Sequence, residues 1–172
     1  MESTRKKALE IMQKGLVSYQ LLSKGWDVSD HFGDGCDLIA EKAGRFIKIE
    51  LKAIDLNSIK SGKNATQHLS ANEIVTATHL IITVFNGIET IETYIMTIRQ
   101  FVENSGVKKY DKYETFEDFM VEYKKLSNAK SEKVKNSPDK KVRLDFDFSF
   151  NPRNAEKWKL AKFKNRWGNL EL

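Results

Sequence analysis

The sequence contains little of what builds a secreted, disulfide-bonded or membrane-spanning protein. Its 172 residues include one cysteine, which excludes an internal disulfide framework and favours a reducing setting. That residue, Cys36, has no further ligands at the spacing of a zinc site. No apolar run approaches the ~20 residues that cross a bilayer, and the stretch MESTRKKALE lacks the apolar segment of a signal peptide. We therefore expect a cytoplasmic protein without a membrane segment.

Several common functional signatures are also missing. The sequence has no Walker loop and no dinucleotide-binding fingerprint. Its three histidines, His31, His68 and His79, are too far apart in sequence to form a local metal pair. His79 adjoins a strongly apolar run and is predicted to be structural, whereas His31 and His68 flank the segments that carry the candidate site described below.

The chain does contain enough apolar sequence for a core, and a surplus of positive charge. Hydrophobic residues make up 40% of the sequence, as in folded globular proteins. The net charge is +5, and basic residues concentrate in the C-terminal third. Clustered Lys and Arg suit contact with phosphate backbones, although solvated surface charge is an equally ordinary use of them. A helix predicted to begin at Asn151-Pro152 would carry the candidate phosphate contacts Lys157, Lys159, Lys162, Lys164 and Arg166.

Hydrophobic periodicity predicts the order helix, three strands, helix, two strands, which is an α/β fold with a mixed sheet flanked by helices (αβββαββ). The first helix runs from about Thr4 to Lys24, and Ser70 and Glu73 form a capping box that begins the second. Residues 55–67 are predicted as a loop. The predicted apolar stripe of the first helix is Leu9, Met12, Leu16, Tyr19 and Leu22.

The most informative stretch runs from Gly33 to Lys52, GDGCDLIAEKAGRFIKIELK. Two short apolar runs flank a turn at Ala43-Gly44, and the second run alternates between apolar and polar residues. If the runs pair as a hairpin, Asp37 and Glu50 converge and Lys52 lies one pleat away. Two carboxylates and an ammonium around one point suit a hard divalent cation and a polarised water. The alternative is the solvated face of an edge strand beside a turn carboxylate.

This stretch resembles the PD-(D/E)XK superfamily of restriction-endonuclease-like nucleases. It looks most like the archaeal Holliday-junction resolvases and related small nucleases, whose pattern is a Gly-rich turn, Asp-Leu-Ile-Ala, a basic turn and Ile-Glu-Val-Lys. The resemblance implies that Asp37, Glu50 and the Leu51 carbonyl hold Mg²⁺ or Mn²⁺, and that Lys52 orients and activates water. It further implies a nucleic-acid substrate, with DNA favoured, and a homodimer.

The resemblance, together with local composition and the positions of polar residues, predicts a domain organisation and a set of accessory residues. Residues 1–106 would form the nuclease-like core, with 107–172 as a C-terminal helical and strand addition that includes a mobile Lys-rich connection at 127–140. Many relatives carry a glutamate on the first helix where this chain has Lys14-Gly15. Either Glu10, one turn earlier, serves instead, or the site has two carboxylates. The further accessory candidates are His31, Gln67 and His68.

Three functions therefore follow as expectations. The first is a metal-dependent endonuclease, and it is the one that the spacing of Asp37, Glu50 and Lys52 favours. The second is a nucleic-acid-binding or assembly module of the same fold without a working site, favoured by Lys14-Gly15. The third is an RNA-cutting, toxin-type nuclease of the same superfamily.

Overall fold

The computed structural model describes residues 2–31, 35–59, 63–105, 113–136 and 146–171. The helices and strands in chain order are α1 (Glu2–Ser23), β1 (Asp27–Asp30), β2 (Leu38–Lys42), β3 (Arg45–Asp55), β4 (Ala65–Leu69), α2 (Ala71–Thr76), β5 (His79–Asn86), β6 (Glu89–Thr97), α3 (Ile98–Asn104), α4 (Phe116–Asn136) and β7 (Phe146–Phe150). Five strands form a mixed sheet in the order β1-β2-β3-β5-β6, and β4 and β7 form a second, two-stranded sheet. The predicted α/β class with helices flanking a mixed sheet is confirmed.

The hairpin predicted around Ala43-Gly44 is present and sets the register of the central strands. Both turn residues have positive φ, 52° and 79°, which is the two-residue turn whose twist matches the strands on either side. Strands β2 and β3 pair antiparallel, and β3 pairs parallel with β5. Because β5 is central and covered on both faces, its run HLIITVF is buried throughout.

The sheet carries a separate apolar core on each face. On one face, α1 packs its Val17 and Leu21 against Ile49, Ile81 and Ile95 of the sheet. The opposite face is covered by α2, α3, α4 and β7, with an aromatic cluster around Phe101, Phe119 and Phe146. The sheet is therefore packed on both of its faces.

The buried face of α1 differs from the predicted stripe. Tyr19 and Leu22 are 67% and 55% exposed, whereas Gln13 is 1% exposed. The amide of Gln13 donates hydrogen bonds into the sheet, so a polar residue occupies a core-facing position that hydrophobicity alone assigns to its neighbours. The residues of α1 that are buried are Leu9, Gln13, Val17 and Leu21.

Two further predictions about chain segments are corrected. The segment 55–67, predicted as a loop, contains a short 3₁₀ turn (Leu56–Ser58) and enters strand β4 at Ala65. Helix α4 continues to Asn136, so the Lys-rich stretch predicted as a connection (127–140) is helical up to that residue; residues 137–140 lie outside the described ones. Local sequence patterns do not predict strand β4, because the strand that pairs with it, β7, comes from the C-terminal part of the chain.

The helix predicted from Asn151-Pro152 is also corrected. The segment instead forms three 3₁₀ turns, Pro152–Lys157, Ala161–Phe163 and Trp167–Glu171. Trp158 packs edge-on against Tyr94 and Phe150, so its ring belongs to the core. Among the described helices, none is long and apolar enough to cross a membrane.

Candidate functional site

Backbone contacts at the start of β2 fix Asp37 beside β3. Its carboxylate Oδ2 accepts a hydrogen bond of 2.8 Å from the Leu51 N–H, and its own N–H donates to the Ile49 carbonyl at 2.8 Å. The preceding turn approaches α2 so closely that a Cβ on Gly35 would lie 2.6 Å from the Thr76 Cβ, and Gly35 has a φ of +100°. Glycine is therefore required at this point of the Gly-rich turn.

Glu50 and Lys52 extend from the same face of β3 into one charged cluster. The Lys52 ammonium lies 2.8 Å from Glu50 Oε1 and 2.9 Å from Glu73 Oε1. Glu73 comes from the first turn of α2, where its other oxygen, Oε2, accepts a 2.6 Å hydrogen bond from the Ser70 N–H. Glu50 and Lys52 are thus in direct contact, and Glu73 joins them from a separate element.

Beneath Lys52, the buried amide of Gln13 ties α1 to the sheet. Its Nε2 donates to the Lys52 carbonyl at 3.0 Å and to the Thr83 hydroxyl at 3.1 Å. Helix α1 thus presents an amide to the backbone of β3. The nearby carboxylate, Glu10, is 58% exposed and lies 3.8 Å from the Lys6 ammonium.

The cluster holds more negative charge than Lys52 neutralises. Burial, together with the neighbouring carboxylates of Asp37 and Glu73, raises the pKa of Glu50 to about 8, against the opposing effect of Lys52. Burial disfavours the charged form of Lys52, yet Glu50 and Glu73 hold its pKa above the usual value. Burial likewise opposes ionisation of Glu73, but hydrogen bonding to Lys52 lowers its pKa overall. A divalent cation beside Asp37 and Glu50 would relieve this imbalance.

The donor set fits a hard cation that retains water. Asp37 and Glu50 supply two carboxylates, and the Leu51 carbonyl follows on the same strand. In the described part of the chain, no group of three or more His, Cys, Asp or Glu side chains is arranged to hold a metal ion. Mg²⁺ is commonly bound by one or two carboxylates with water and substrate phosphate completing its shell, so two carboxylates are compatible with it.

These groups line the floor of an open cleft of about 630 Å³. One side of the cleft is formed by α1, which contributes Glu10 and four cationic side chains. The opposite side includes Gln67 and His68 of β4. The four cationic residues of α1 at the cleft are Arg5, Lys6, Lys7 and Lys14.

Three of the four accessory candidates lie at the cleft. Gln67 Nε2 donates a 3.1 Å hydrogen bond to the Ala53 carbonyl, which directs it toward β3. His68 is exposed, and Glu10 lines the cleft from α1.

The other two histidines lie outside the lining of the cleft. His31 is not among the described residues that line it, although its N–H donates to the Asp37 carbonyl at 3.1 Å. His79 is buried and bonded to Asn169, as expected of a structural histidine.

The basic C-terminal residues do not form one row, because the predicted helix is absent. Lys164 pairs with Glu92 at 2.7 Å, and Lys162 donates to Asn104 at 2.6 Å. Lys157 and Lys159 line a separate depression beside Trp158. Arg166 donates to the Lys162 carbonyl at 3.4 Å. None of these five basic residues is among the described residues that line the cleft with Glu50 and Lys52.

Glu73, Gln13 and the cationic side of α1 are the parts of the site that sequence patterns did not assign to it. The sequence predicts Glu73 as a capping residue of α2. Helix α2 directly precedes β5, which is the parallel neighbour of β3. That order could have placed Glu73 near Lys52. Gln13 carried no signal, because an isolated glutamine within an apolar face is common on helix surfaces.

Solved structures to which this chain is similar include two nucleases. The bacterial homing endonuclease I-Ssp6803I aligns at 21% identity and a TM-score of 0.41, covering 55% of this chain and 65% of that one. The Holliday junction resolvase Hjc of the archaeal hyperthermophile Archaeoglobus fulgidus aligns at 15% identity and a TM-score of 0.37, covering 51% of this chain and 71% of that one. The chain thus spans slightly less than two-thirds of the homing endonuclease. No family model and no curated protein sequence matches it. The likeness to both nucleases is one of fold, over about half of this chain.

Proposed function

We propose that this protein is a divalent-metal-dependent endonuclease that hydrolyses nucleic-acid phosphodiester bonds, with DNA as the favoured substrate. The observation that carries the proposal is the convergence of Glu50 and Lys52 beside the anchored Asp37 on the floor of one open cleft. The motif resemblance to PD-(D/E)XK nucleases assigns the same three residues.

Each residue has a role that its surroundings support. Asp37 and Glu50, with the Leu51 carbonyl, would hold Mg²⁺ or Mn²⁺, which when bound polarises a phosphate oxygen and lowers the pKa of an attached water. Asp37 is held in place by the Leu51 N–H, so its orientation is set before a cation arrives. Lys52 would orient the attacking water and stabilise negative charge that develops on the phosphate.

The cleft suits a polyanion in both charge and shape. Its floor is acidic where a cation would lie, whereas α1 places Lys7 and Lys14 along one side. Cationic side chains beside a metal site bind backbone phosphates, and each neutralised phosphate adds affinity. They can therefore hold a phosphate backbone across the metal site. A homodimer, with one cleft for each strand of a duplex, fits this use. We place the activity in the cytoplasm, as the single, free cysteine favours.

One observation supports a second candidate, a module that binds nucleic acid without cutting it. Helix α1 contributes Gln13 to the site's backbone rather than the carboxylate expected from relatives, and Glu10 is largely exposed. A site with two carboxylates that never completes a working metal shell would bind phosphate and leave it intact.

The test is cleavage of supercoiled plasmid, a four-way junction, single-stranded DNA and RNA, each with Mg²⁺, Mn²⁺ or EDTA. We expect nicking of DNA that requires metal and disappears in Asp37→Asn. Metal-independent binding of all substrates without any cleavage supports the binding module instead. Cleavage of RNA alone would support an RNA-cutting nuclease in which the same residues have the same roles.

A further inference from the structure

Glu73 is a charged group in contact with Lys52 to which the motif assigns no role. Its Oε1 lies 2.9 Å from the Lys52 ammonium, which also lies 2.8 Å from Glu50 Oε1. Only 20% of its side chain is exposed. It approaches from α2 rather than from β2 or β3, so a separate element brings it to Lys52.

Cation binding would leave Glu73 as the partner of Lys52. Glu50 holds Lys52 through the same carboxylate that would bind the metal. If Glu50 holds a divalent cation, its oxygens would no longer be free for the Lys52 ammonium, which is carried on a flexible four-carbon side chain. Without a second anchor, Lys52 would leave the site at the moment its charge is needed.

The contacts of Glu73 favour a role as the partner of Lys52 over that of a third metal ligand. One of its oxygens contacts Lys52 and the other accepts the Ser70 N–H at 2.6 Å. Both oxygens are therefore engaged with donors. The capping bond sets the side-chain direction, because it ties the carboxylate to the start of α2.

Helix capping alone does not require the charge of Glu73. The same chain builds a second capping box at Thr97 with an amide, where Gln100 Oε1 accepts the Thr97 N–H at 2.9 Å and the Gln100 N–H donates to the Thr97 hydroxyl at 3.1 Å. Glutamine thus performs the same capping in α3. What glutamate adds at position 73 is a negative charge facing Lys52.

We propose that Glu73 is a positioning residue that keeps the Lys52 ammonium at the scissile phosphate once Glu50 has turned to the metal. This inference rests on the proposed nuclease function. Glu73 acts through Lys52 and touches neither substrate nor metal.

The test compares Glu73→Gln with wild type and with Gln100→Ala, which removes the equivalent capping residue of α3. The measurements are single-turnover cleavage at saturating DNA and Mg²⁺, Mn²⁺ affinity by calorimetry, DNA affinity and thermal unfolding. We expect Glu73→Gln to cut about 10- to 100-fold more slowly, as is typical when a supporting partner is lost. Its Mn²⁺ and DNA affinities should stay within about twofold of wild type, with an unchanged melting temperature. Gln100→Ala should melt earlier and cut at the wild-type rate.

Two outcomes overturn the inference while the nuclease stands. Cleavage by Glu73→Gln at the wild-type rate means that the residue serves only as a helix cap. A loss of Mn²⁺ affinity equal to that of Glu50→Gln means that it is a metal ligand. If wild type cuts no substrate under any condition, the proposed function itself fails, and the inference fails with it.

Discussion

At the scale of single residues, each charged group of the site is held by a different kind of contact. Asp37 is oriented by a backbone N–H, Lys52 by two carboxylates, and Glu50 by burial next to Lys52. Removing one group therefore has a distinguishable effect, and three variants separate metal binding from turnover.

Asp37→Asn and Glu50→Gln are each expected to abolish cleavage and leave the fold intact. Either change removes a metal-ligand charge, so the loss of rate should exceed the roughly 10- to 100-fold cost of losing an outer-shell partner. The fold should survive because burial already disfavours the charge on Glu50. Cleavage assays with thermal unfolding check both parts. Undiminished cutting would refute the assigned site, and unfolding at ordinary temperature would show that these carboxylates are structural.

Lys52→Ala is expected to lose turnover but still bind Mn²⁺ and nucleic acid. Its proposed contribution is made in the transition state, so rate should fall further than affinity. Calorimetry with Mn²⁺ and DNA-binding titrations measure the affinities, beside single-turnover cleavage. A loss of metal affinity as large as that of Glu50→Gln would contradict this division of roles.

At the scale of elements, the site depends on how α1, β5 and the C-terminal segment are tied to β3. Gln13 links α1 to the Lys52 carbonyl. His79, at the start of β5, donates from Nε2 to the Asn169 carbonyl at 3.1 Å, and so ties the last 3₁₀ turn to the sheet. Burial lowers the pKa of His79 to about 4, with Arg45 contributing in the same direction.

His79 is therefore expected to contribute a loss of stability as the pH falls from about 6.5 to about 4, whereas the raised pKa of Glu50 acts in the opposite direction between about 8 and 4.5. In this window the unfolded chain binds a proton at residue 79 and the folded protein does not, so acid favours unfolding. His79 alone accounts for a loss of up to about 3 kcal/mol. Denaturant unfolding at several pH values measures it. His79→Leu should lose less stability on acidification than wild type does, and His68→Leu, which changes an exposed residue, serves as the control. Equal slopes in wild type and His79→Leu would contradict the assignment.

At the scale of the whole molecule, two basic surfaces compete for the path of the nucleic acid. Lys7 and Lys14 lie at the cleft itself. The C-terminal residues lie elsewhere, and Lys164 is already paired with Glu92. Their position at the cleft favours the residues of α1, although Lys14 is itself paired with Asp30 at 3.4 Å.

Lys7→Gln with Lys14→Gln is expected to weaken binding for all sequences alike and to flatten its salt dependence, by roughly one slope unit for each lost phosphate contact. Lys159→Gln, Lys162→Gln and Lys164→Gln together should have a smaller effect, with cleavage at saturating substrate little changed. Fluorescence titrations at several salt concentrations give both slopes. A larger change in the C-terminal variant would move the path away from the cleft.

The sequence by itself determined the parts of this protein that depend on local pattern. Alternation and the turn at Ala43-Gly44 specified the β2–β3 hairpin, and that hairpin specified the nearness of Asp37 and Glu50. The capping box at Ser70 and the buried run of β5 were likewise local signals. Hydrophobic periodicity, turn residues and helix caps each act within a few residues, so they can be identified from the sequence before the fold is known.

Tertiary structure alone decided what depends on partners distant in sequence. Strand β4 exists because β7 pairs with it, and the segment after Asn151 forms 3₁₀ turns because Trp158 packs into the core instead of continuing a helix. Gln13 is buried because it satisfies carbonyl groups of the sheet, and Glu73 meets Lys52 because α2 leads into β5, the parallel neighbour of β3. In each case a contact between residues distant in sequence outweighs a local conformational preference of at most about 1 kcal/mol. The periodicity of the sequence therefore does not predict that contact.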